Sequence, residues 1–177
     1  MRGMPGDNVI LVGFMGAGKS LVGRRLARRL GRRFVETDAL IAARDGHSIP
    51  EIFERAGEAR FRQLETEVVE ALREGSGAIV ATGGGLPCGE GRMDELRALG
   101  TVVWLRGDLD ELVARARRSG DRPMLAGRTA EDVEALYRAR EPYYRRAHVT
   151  VDTIGLGPER VVTRVLAALR DAHAARV

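Results

Sequence analysis

Residues 13–20 read Gly-Phe-Met-Gly-Ala-Gly-Lys-Ser, a stretch that fits the pattern G-x-x-x-x-G-K-[ST]. The continuous apolar run Val-Ile-Leu-Val at 9–12 comes directly before it, and a helical pattern of apolar residues covers 19–30. A buried strand, a glycine-rich turn and a helix are the setting in which this pattern binds phosphate. The stretch therefore predicts a phosphate-binding loop between a strand and a helix.

Each residue type in this loop has a chemical reason. Glycines let the backbone wrap around a phosphate with its N–H groups pointing inward, and the helix N-terminus adds the positive end of a dipole. Lys19 can reach the β- and γ-phosphates of a nucleotide, and the Ser20 hydroxyl can bind Mg²⁺. Lys19 is also the only lysine among 29 basic residues, which suggests that its compact ammonium is needed. The loop thus predicts a nucleoside triphosphate and Mg²⁺, and leaves the fate of the phosphate open.

Length and composition limit the class of protein. The chain has 177 residues, of which 44% are apolar, and a net charge of +4, which fits one domain over 1–177 with a real core. The charges of both signs interleave and only 5% of residues are aromatic, so we expect no nucleic-acid partner. No apolar stretch approaches the length of about 18 residues that a membrane helix needs. Cys88 is the single cysteine. We expect a cytoplasmic monomer that does not bind membranes.

Strand-like apolar runs alternate with helical patterns along the chain. Because most of these runs are continuous, both faces of each strand should be buried, as in a parallel sheet covered by helices in an α/β fold. Two regions interrupt the alternation: 38–74 is a long, mostly helical polar insertion, and 119–128 contains glycine and proline and is typical of a lid. The later runs are 34–35, 78–81, 102–105 and 149–151, and the helical patterns are 19–30, 49–74, 90–98, 108–118, 130–146 and 157–175.

Polar residues and glycines follow two of the predicted strands. Glu36 and Asp38 end the second strand, and Gly83, Gly84 and Gly85 follow the third. Ligands of open parallel sheets bind beyond the carboxyl ends of the strands, so these residues should lie beside the phosphate loop. There, a carboxylate can hold Mg²⁺ through water, accept hydrogen bonds from substrate hydroxyls or take a proton. The alternatives are that Asp38 caps the following helix and that the glycines form an ordinary turn.

Three arginines are candidates for the same end of the sheet. Arg62 lies in the insertion, Arg122 in the candidate lid, and Arg140 in the helical segment before the last strand. A guanidinium pairs well with a carboxylate, and an arginine from a lid can neutralise a phosphoryl group in transfer. In a chain with 28 arginines, the alternative for each is an exposed surface residue.

Six motifs, taken together, resemble the shikimate kinase family from about residue 9 to about residue 169. A phosphate loop alone would not specify this family, but all six motifs occur in the family's order. They are G-F-M-G-A-G-K-S at 13–20, E-T-D at 36–38, G-E-x-x-F-R at 57–62, G-G-G at 83–85, R-P-x-L at 122–125 and R-x-P-x-Y at 140–144.

The resemblance implies a three-layer P-loop kinase fold with five parallel strands in the order 2-3-1-4-5. It implies transfer of the γ-phosphoryl group of ATP to the 3-hydroxyl of shikimate, with Mg²⁺ as cofactor. The family pattern places ATP-binding residues at Gly13, Gly16, Ala17, Gly18, Lys19, Ser20, Leu21, Arg118 and Arg122. It places shikimate-binding residues at Asp38, Arg62, Gly83, Gly84, Gly85 and Arg140, and metal-binding residues at Ser20 and, through water, Glu36. The catalytic residues it implies are Lys19, Asp38 and Arg122.

Three positions depart from the family pattern. Glu36 replaces the first aspartate of the usual D-x-D, and Leu21 replaces a threonine. The segment 152–158, which encloses adenine in the family, lacks the usual polar or basic residues. The same residue types also suit a kinase of gluconate, which carries a carboxylate and hydroxyls. A nucleoside monophosphate kinase, a nucleotide-binding protein without catalysis and a nucleic-acid-binding module are further alternatives.

Overall fold

The computed structural model describes residues 7–118 and 127–175. Within them, strands alternate with helices as the sequence predicts. The strands are β1 Asn8–Val12, β2 Phe34–Glu36, β3 Ile79–Ala81, β4 Gly100–Arg106 and β5 Val149–Asp152. The helices are α1 Lys19–Leu30, α2 Thr37–Asp45, α3 Ile49–Arg73, α4 Arg92–Leu99, α5 Leu109–Arg118, α6 Ala130–Tyr144 and α7 Pro158–Ala174, with a short 3-10 helix at Leu86–Cys88.

The strands form one parallel sheet in the order β2-β3-β1-β4-β5, as the resemblance implies. β1 lies at the centre, where Ile10 pairs with Val80 of β3 and Val102 of β4. All carboxyl ends therefore face one edge of the sheet. The chain places β3 and β2 on one side of β1 and β4 and β5 on the other. Such a switch point leaves a crevice for ligands beyond the strand ends.

The main core explains why the apolar runs are continuous. Every residue of β1 is buried, since helices cover the sheet on both faces. α1 packs its apolar stripe, including Val22 and Leu26, against the sheet and α7. Trp104 of β4 is 3% exposed, which agrees with its expected place in the core. Burial of such side chains supplies about 1.5–3 kcal/mol each and fixes the sheet that carries the site.

A second, smaller core lies between α2 and α3. Its buried side chains are Ile41, Ile52, Phe61, Leu64 and Val68. Gly57, with φ 75° and ψ −178°, interrupts the helical backbone inside α3. Residues on both sides of it pack in this small core, and Val69 and Leu72 near the end of α3 belong to the main core. The insertion at 38–74 therefore has hydrophobic support of its own.

Two local features differ from the sequence-based expectation. β2 ends at Glu36 and α2 begins at Thr37 without a linker, so Asp38 lies in the first turn of a helix and not at a strand end. The glycine turn leads into the 3-10 helix, which the sequence does not predict. No helix among the described residues is long and apolar enough to cross a membrane.

Candidate active site

A cleft of about 1030 Å³ opens beyond the carboxyl ends of the strands. Its wall comes from the phosphate loop, α2, α3, the glycine turn, α5, α6 and the loop after β5. The predicted site residues that line it are Gly16, Ala17, Gly18, Lys19, Ser20, Leu21, Glu36, Asp38, Arg62, Gly83, Gly84, Gly85, Arg118 and Arg140. Gly13, the first residue of the loop, is not among the lining residues, and Arg122 lies with 119–126 of the expected lid outside the described residues.

The phosphate loop has a backbone that only glycine fits at its tightest point. Gly16 has φ 77°, and a β-carbon there would lie 2.0 Å from the carbonyl oxygen of Leu112. The loop is therefore pressed against the first turn of α5. Gly18 precedes α1 with φ 83°, which turns the chain so that the helix N-terminus faces the cleft. Backbone N–H groups in this arrangement favour an anion.

Lys19 begins α1 and is only 8% exposed. Its Nζ donates to the carbonyl oxygens of Gly13 at 2.7 Å and Phe14 at 3.1 Å. These bonds hold the ammonium inside the curve of the loop. A buried cation at this place is ready to neutralise phosphate charge, and it costs little reorganisation to do so.

Ser20 and Glu36 meet at the same end of the cleft. The Ser20 hydroxyl donates to Glu36 Oε1, and Arg24 Nη2 donates to Glu36 Oε2 at 3.0 Å. A hydroxyl and a carboxylate side by side are oxygen ligands of the type that Mg²⁺ prefers. No group of three or more metal-binding acids, histidines or cysteines occurs in the described part of the chain. The residues present thus fit a Mg²⁺ ion that takes its other ligands from phosphates and water.

Asp38 packs directly against the glycine turn. A β-carbon on Gly83 would lie 2.5 Å from Asp38 Oδ1, so glycine is needed for this approach. The buried Thr37 fixes the same place, because its Oγ1 accepts a hydrogen bond from Gly83 N–H at 3.0 Å. The Asp38 carboxylate is partly exposed and lines the cleft. It is placed to receive a hydroxyl group of a bound acceptor.

Arg140 approaches the turn from α6. β-carbons on Gly84 and Gly85 would each lie 3.2 Å from one of its terminal nitrogens. Tyr144, one turn later in α6, donates its hydroxyl to the Gly84 carbonyl at 2.7 Å. Burial raises the pKa of Tyr144, so the hydroxyl remains a donor. Sequence analysis identified Tyr144 only as part of the motif at 140–144, and the structure adds its contact with the turn.

Arg62 projects from α3 with two carboxylate partners. Its Nη1 lies 2.7 Å from Glu65 Oε2, and its Nη2 lies 3.0 Å from Glu58 Oε1. Glu65 is 3% exposed, and burial raises the pKa of its carboxyl although Arg62 opposes that shift. Burial alone would lower the pKa of Arg62, but its bonds to Glu65 and Glu58 raise it. The guanidinium is therefore charged and held in one orientation. Sequence reasoning missed Glu65, whose signal is its spacing of three residues from Arg62.

Another part of the cleft wall comes from α5, the loop after β5 and the start of α7. Its residues are Arg115, Arg118, Thr153, Leu156 and Pro158. Arg118 is exposed at the end of α5. The loop after β5 thus occupies the place where the resemblance expects the adenine enclosure. Its apolar side chains form a surface suited to a flat ring.

Cys88 lies behind the glycine turn, with its Sγ 3.8 Å from the Gly84 carbonyl oxygen. Burial raises the pKa of its thiol to about 11, and the neighbouring Arg140 opposes that shift. A thiol protonated at neutral pH is a poor nucleophile. Nothing in its surroundings therefore marks Cys88 as a nucleophile.

The sheet order, the strand–loop–helix and the cleft define a P-loop kinase. The family model for shikimate kinase matches residues 15–170. Curated shikimate kinases are similar over nearly the whole chain: that of Geobacter sulfurreducens is 48% identical over 94% of this chain and 92% of its own. That of Moorella thermoacetica is 43% identical, over 94% of this chain and 96% of its own. The chain therefore belongs to the shikimate kinase family.

Solved structures are also similar to this chain. Shikimate kinase from Acinetobacter baumannii in complex with shikimate superposes with a TM-score of 0.86 and 35% identity, covering 93% of each chain. A gluconokinase from Sinorhizobium meliloti gives a TM-score of 0.63 at 22% identity, covering 99% of this chain and 98% of its own. The second likeness shows the shared fold alone.

Proposed function

We propose that this protein transfers the γ-phosphoryl group of ATP to the 3-hydroxyl of shikimate, giving shikimate 3-phosphate and ADP. The observation that carries the proposal is the convergence of Arg62, Arg140 and Asp38 on one glycine turn in the cleft that the phosphate loop also lines. The reaction belongs to chorismate and aromatic amino-acid biosynthesis. Membership of the family and the shikimate-bound relative support the same acceptor.

The acceptor pocket suits an acid that also carries hydroxyl groups. Arg62 and Arg140 present guanidinium groups near Gly85, where a β-carbon would lie 3.7 Å from the first and 3.2 Å from the second. Two such groups bind a carboxylate through charge-assisted hydrogen bonds. Asp38 then receives the reacting hydroxyl and accepts its proton as the new bond forms. Gly83, Gly84 and Gly85 keep the turn free of side chains, so that the ring can approach the backbone.

Catalysis of phosphoryl transfer depends mainly on positioning and on neutralising charge. The loop N–H groups from Gly13 to Ser20 hold the phosphates, and Lys19 stabilises the charge that develops on the transferred group. Ser20 and, through water, Glu36 would hold Mg²⁺, which supplies further charge neutralisation between the phosphates. Leu21 and Arg118 contact the nucleotide beyond the loop. Arg122 remains a predicted catalytic residue.

The domain organisation and the setting of the enzyme are part of the same proposal. We expect one kinase domain over 1–177, in which 38–74 binds the acceptor and 119–128 closes over the phosphates. The small core between α2 and α3 supports this division, because it gives the insertion packing of its own. We further expect a monomer in the cytoplasm that uses no nucleic-acid or membrane partner.

The test is release of ADP from MgATP by the purified protein, with shikimate, gluconate or AMP offered separately and a control without acceptor. Release that depends on shikimate alone is expected. Release with gluconate or AMP instead would contradict the assigned acceptor and leave the phosphate loop intact. Asp38→Asn tests the pocket directly: it should abolish most turnover, and a variant with normal turnover would remove Asp38 from the mechanism.

A further inference from the structure

Helix α5 and the loop after β5 are joined by polar contacts at the nucleotide end of the cleft. Arg115 Nη2 donates to the carbonyl oxygen of Thr153 at 3.2 Å, and its Nη1 donates to Thr153 Oγ1 at 3.4 Å. The same guanidinium bonds Glu111 Oε2 at 2.8 Å. That carboxylate oxygen also accepts from Gly155 N–H at 3.4 Å. One arginine and one glutamate, a helical turn apart, thus hold the start and the middle of the loop.

The loop is hydrogen-bonded to the sheet at its first residue. Thr153 is 1% exposed, and both its N–H and its hydroxyl donate to the carbonyl of Arg106, at 2.8 Å and 3.0 Å. Beyond Thr153 the sequence is Ile-Gly-Leu-Gly, without a charged side chain. Glycines at 155 and 157 leave this backbone many conformations. The contacts from α5 therefore restrict a segment that is flexible by composition.

This segment supplies part of the wall of the cleft. Arg115, Thr153 and Leu156 line the cavity, and Glu111 is not among its lining residues. An apolar wall with few polar groups recognises a ring by shape and by backbone contacts, which depend on its exact position. A wall that is free to move binds a ring more weakly, because ordering it costs binding free energy. A mobile wall can also adapt to different rings, so it distinguishes less between them.

We propose that Arg115 and Glu111 are positioning residues that fix the loop at 153–157 as the binding wall for the nucleotide base. The pair sets the affinity for the nucleotide and the preference for adenine over guanine. The inference rests on the proposed function to the extent that ATP is the phosphoryl donor. It adds two residues that none of the six sequence motifs contains.

The sign of one substitution separates positioning from simple electrostatics. Glu111→Gln removes a negative charge near the site of an anionic ligand, so charge alone predicts equal or tighter binding. Loss of positioning predicts the reverse: ADP binding about three- to tenfold weaker, measured by titration calorimetry, and a smaller ratio of ADP to GDP affinity. Asp110→Asn is the matched control, since it removes an exposed charge from the same helix. Equal or tighter ADP binding by Glu111→Gln would overturn the proposal.

Arg115→Met tests the other half of the pair, with Arg117→Met as the exposed control on the same helix. We expect Arg115→Met to raise the KM for ATP and to leave the KM for shikimate unchanged. A parallel rise of both KM values would contradict positioning of the nucleotide wall.

Hydrogen exchange supplies a readout that does not depend on nucleotide binding. In protein without nucleotide, the amides of 153–157 should exchange faster in Glu111→Gln and Arg115→Met than in the wild type or the two controls. Unchanged exchange in both variants would overturn the inference while the proposed function stands. Failure of the wild type to bind ADP would instead contradict the proposed function.

Discussion

The phosphate loop and the acceptor pocket line one cleft, but different parts of the chain build them. The loop is made of backbone: Gly16 fits against the Leu112 carbonyl with no space for a β-carbon, and the Lys19 ammonium is held by main-chain oxygens. The acceptor pocket is made of side chains, among them Arg62 and Arg140, and Arg62 is oriented by the buried Glu65.

This difference follows from the supports beneath the two ends. The loop extends from the central strand β1 and lies on the main core, so its shape is set by the most buried part of the sheet. Arg62 belongs to α3, which packs on the smaller core shared with α2. Changes to the phosphate loop should therefore abolish activity, and changes to the residues that orient the acceptor arginines should alter shikimate affinity more gradually.

The largest effect is expected for Lys19→Ala. In the proposed function the ammonium stabilises charge in the transition state, and loss of one such preorganised group lowers kcat by at least about a hundredfold. Shikimate should still bind, because the groups proposed to hold its carboxylate are Arg62 and Arg140 and not Lys19. Steady-state kinetics and calorimetric titration with shikimate check both statements. A kcat within tenfold of the wild type would show that the contrast between the two ends is wrong.

Gly16→Ala, compared with Gly46→Ala, tests whether the loop backbone is the critical material. Both glycines have a positive φ, of 77° and 81°. A β-carbon would overlap Leu112 at the first position and meet nothing within 4 Å at the second. Gly46→Ala should lose about 1–2 kcal/mol of stability from backbone strain alone. Gly16→Ala should lose more, and with it most nucleotide binding.

The two variants are compared by urea unfolding and by ADP titration. Equal stability of Gly16→Ala and Gly46→Ala would mean that α5 moves aside without cost, and that the loop is less constrained than its contacts indicate.

At the acceptor end, Glu65→Gln is expected to have an intermediate effect. It weakens a charge-assisted hydrogen bond that orients Arg62, which corresponds to a rise in the shikimate KM of about tenfold. Glu58→Gln is the matched control, because the Glu58 side chain is 68% exposed and such pairs contribute little. Initial rates at varied shikimate check this, and equal KM values for the two variants would remove Glu65 from the pocket.

Glu65 also gives the wild type a pH signature. Its pKa is raised above 4.5 by burial, so the folded chain holds this proton more tightly than the unfolded chain. That contribution to stability is present below pH 4.5 and is lost as pH rises through the folded-state pKa. The unfolding free energy of the wild type, relative to Glu65→Gln, should therefore fall with rising pH in this window. A constant difference would contradict the assignment.

The smallest effect is expected for Tyr144→Phe. This change removes only the hydroxyl that bonds the Gly84 carbonyl at 2.7 Å, worth about 1 kcal/mol, so we expect a severalfold rise in the shikimate KM. Tyr143→Phe, at the partly exposed neighbour, is the control. The single tryptophan, Trp104, has its ring centroid 6.1 Å from that of Tyr144. Unchanged tryptophan emission would show that the core is intact.

Much of this molecule could be predicted from the sequence, because its signals are local. Continuous apolar runs require strands buried on both faces, and the loop at 13–20 locates the phosphate end. The sheet order and the family were confirmed. The cleft brings together all the described candidate residues except Gly13, whose carbonyl oxygen accepts a hydrogen bond from the Lys19 ammonium.

The supporting residues could not be predicted because they depend on burial in the folded chain. Arg62 has glutamates at helical spacing on both sides, and only the fold shows that Glu65 is buried and Glu58 is exposed. Tyr144 acts through a bond across 60 residues. Arg115 is one of several arginines in α5, and its contact with Thr153 depends on where the loop after β5 returns to that helix.

The single thiol, that of Cys88, lies next to the glycine turn, so its chemical reactivity can report on that turn. The Cys88 thiol is half-buried beside Gly84, and its raised pKa keeps it protonated at neutral pH, so an alkylating reagent should react with it slowly. The rate of alkylation of the unaltered protein should therefore report how accessible the thiol beside the turn is. An acceptor that covers the turn should slow alkylation, so the rate would report acceptor binding without an added label.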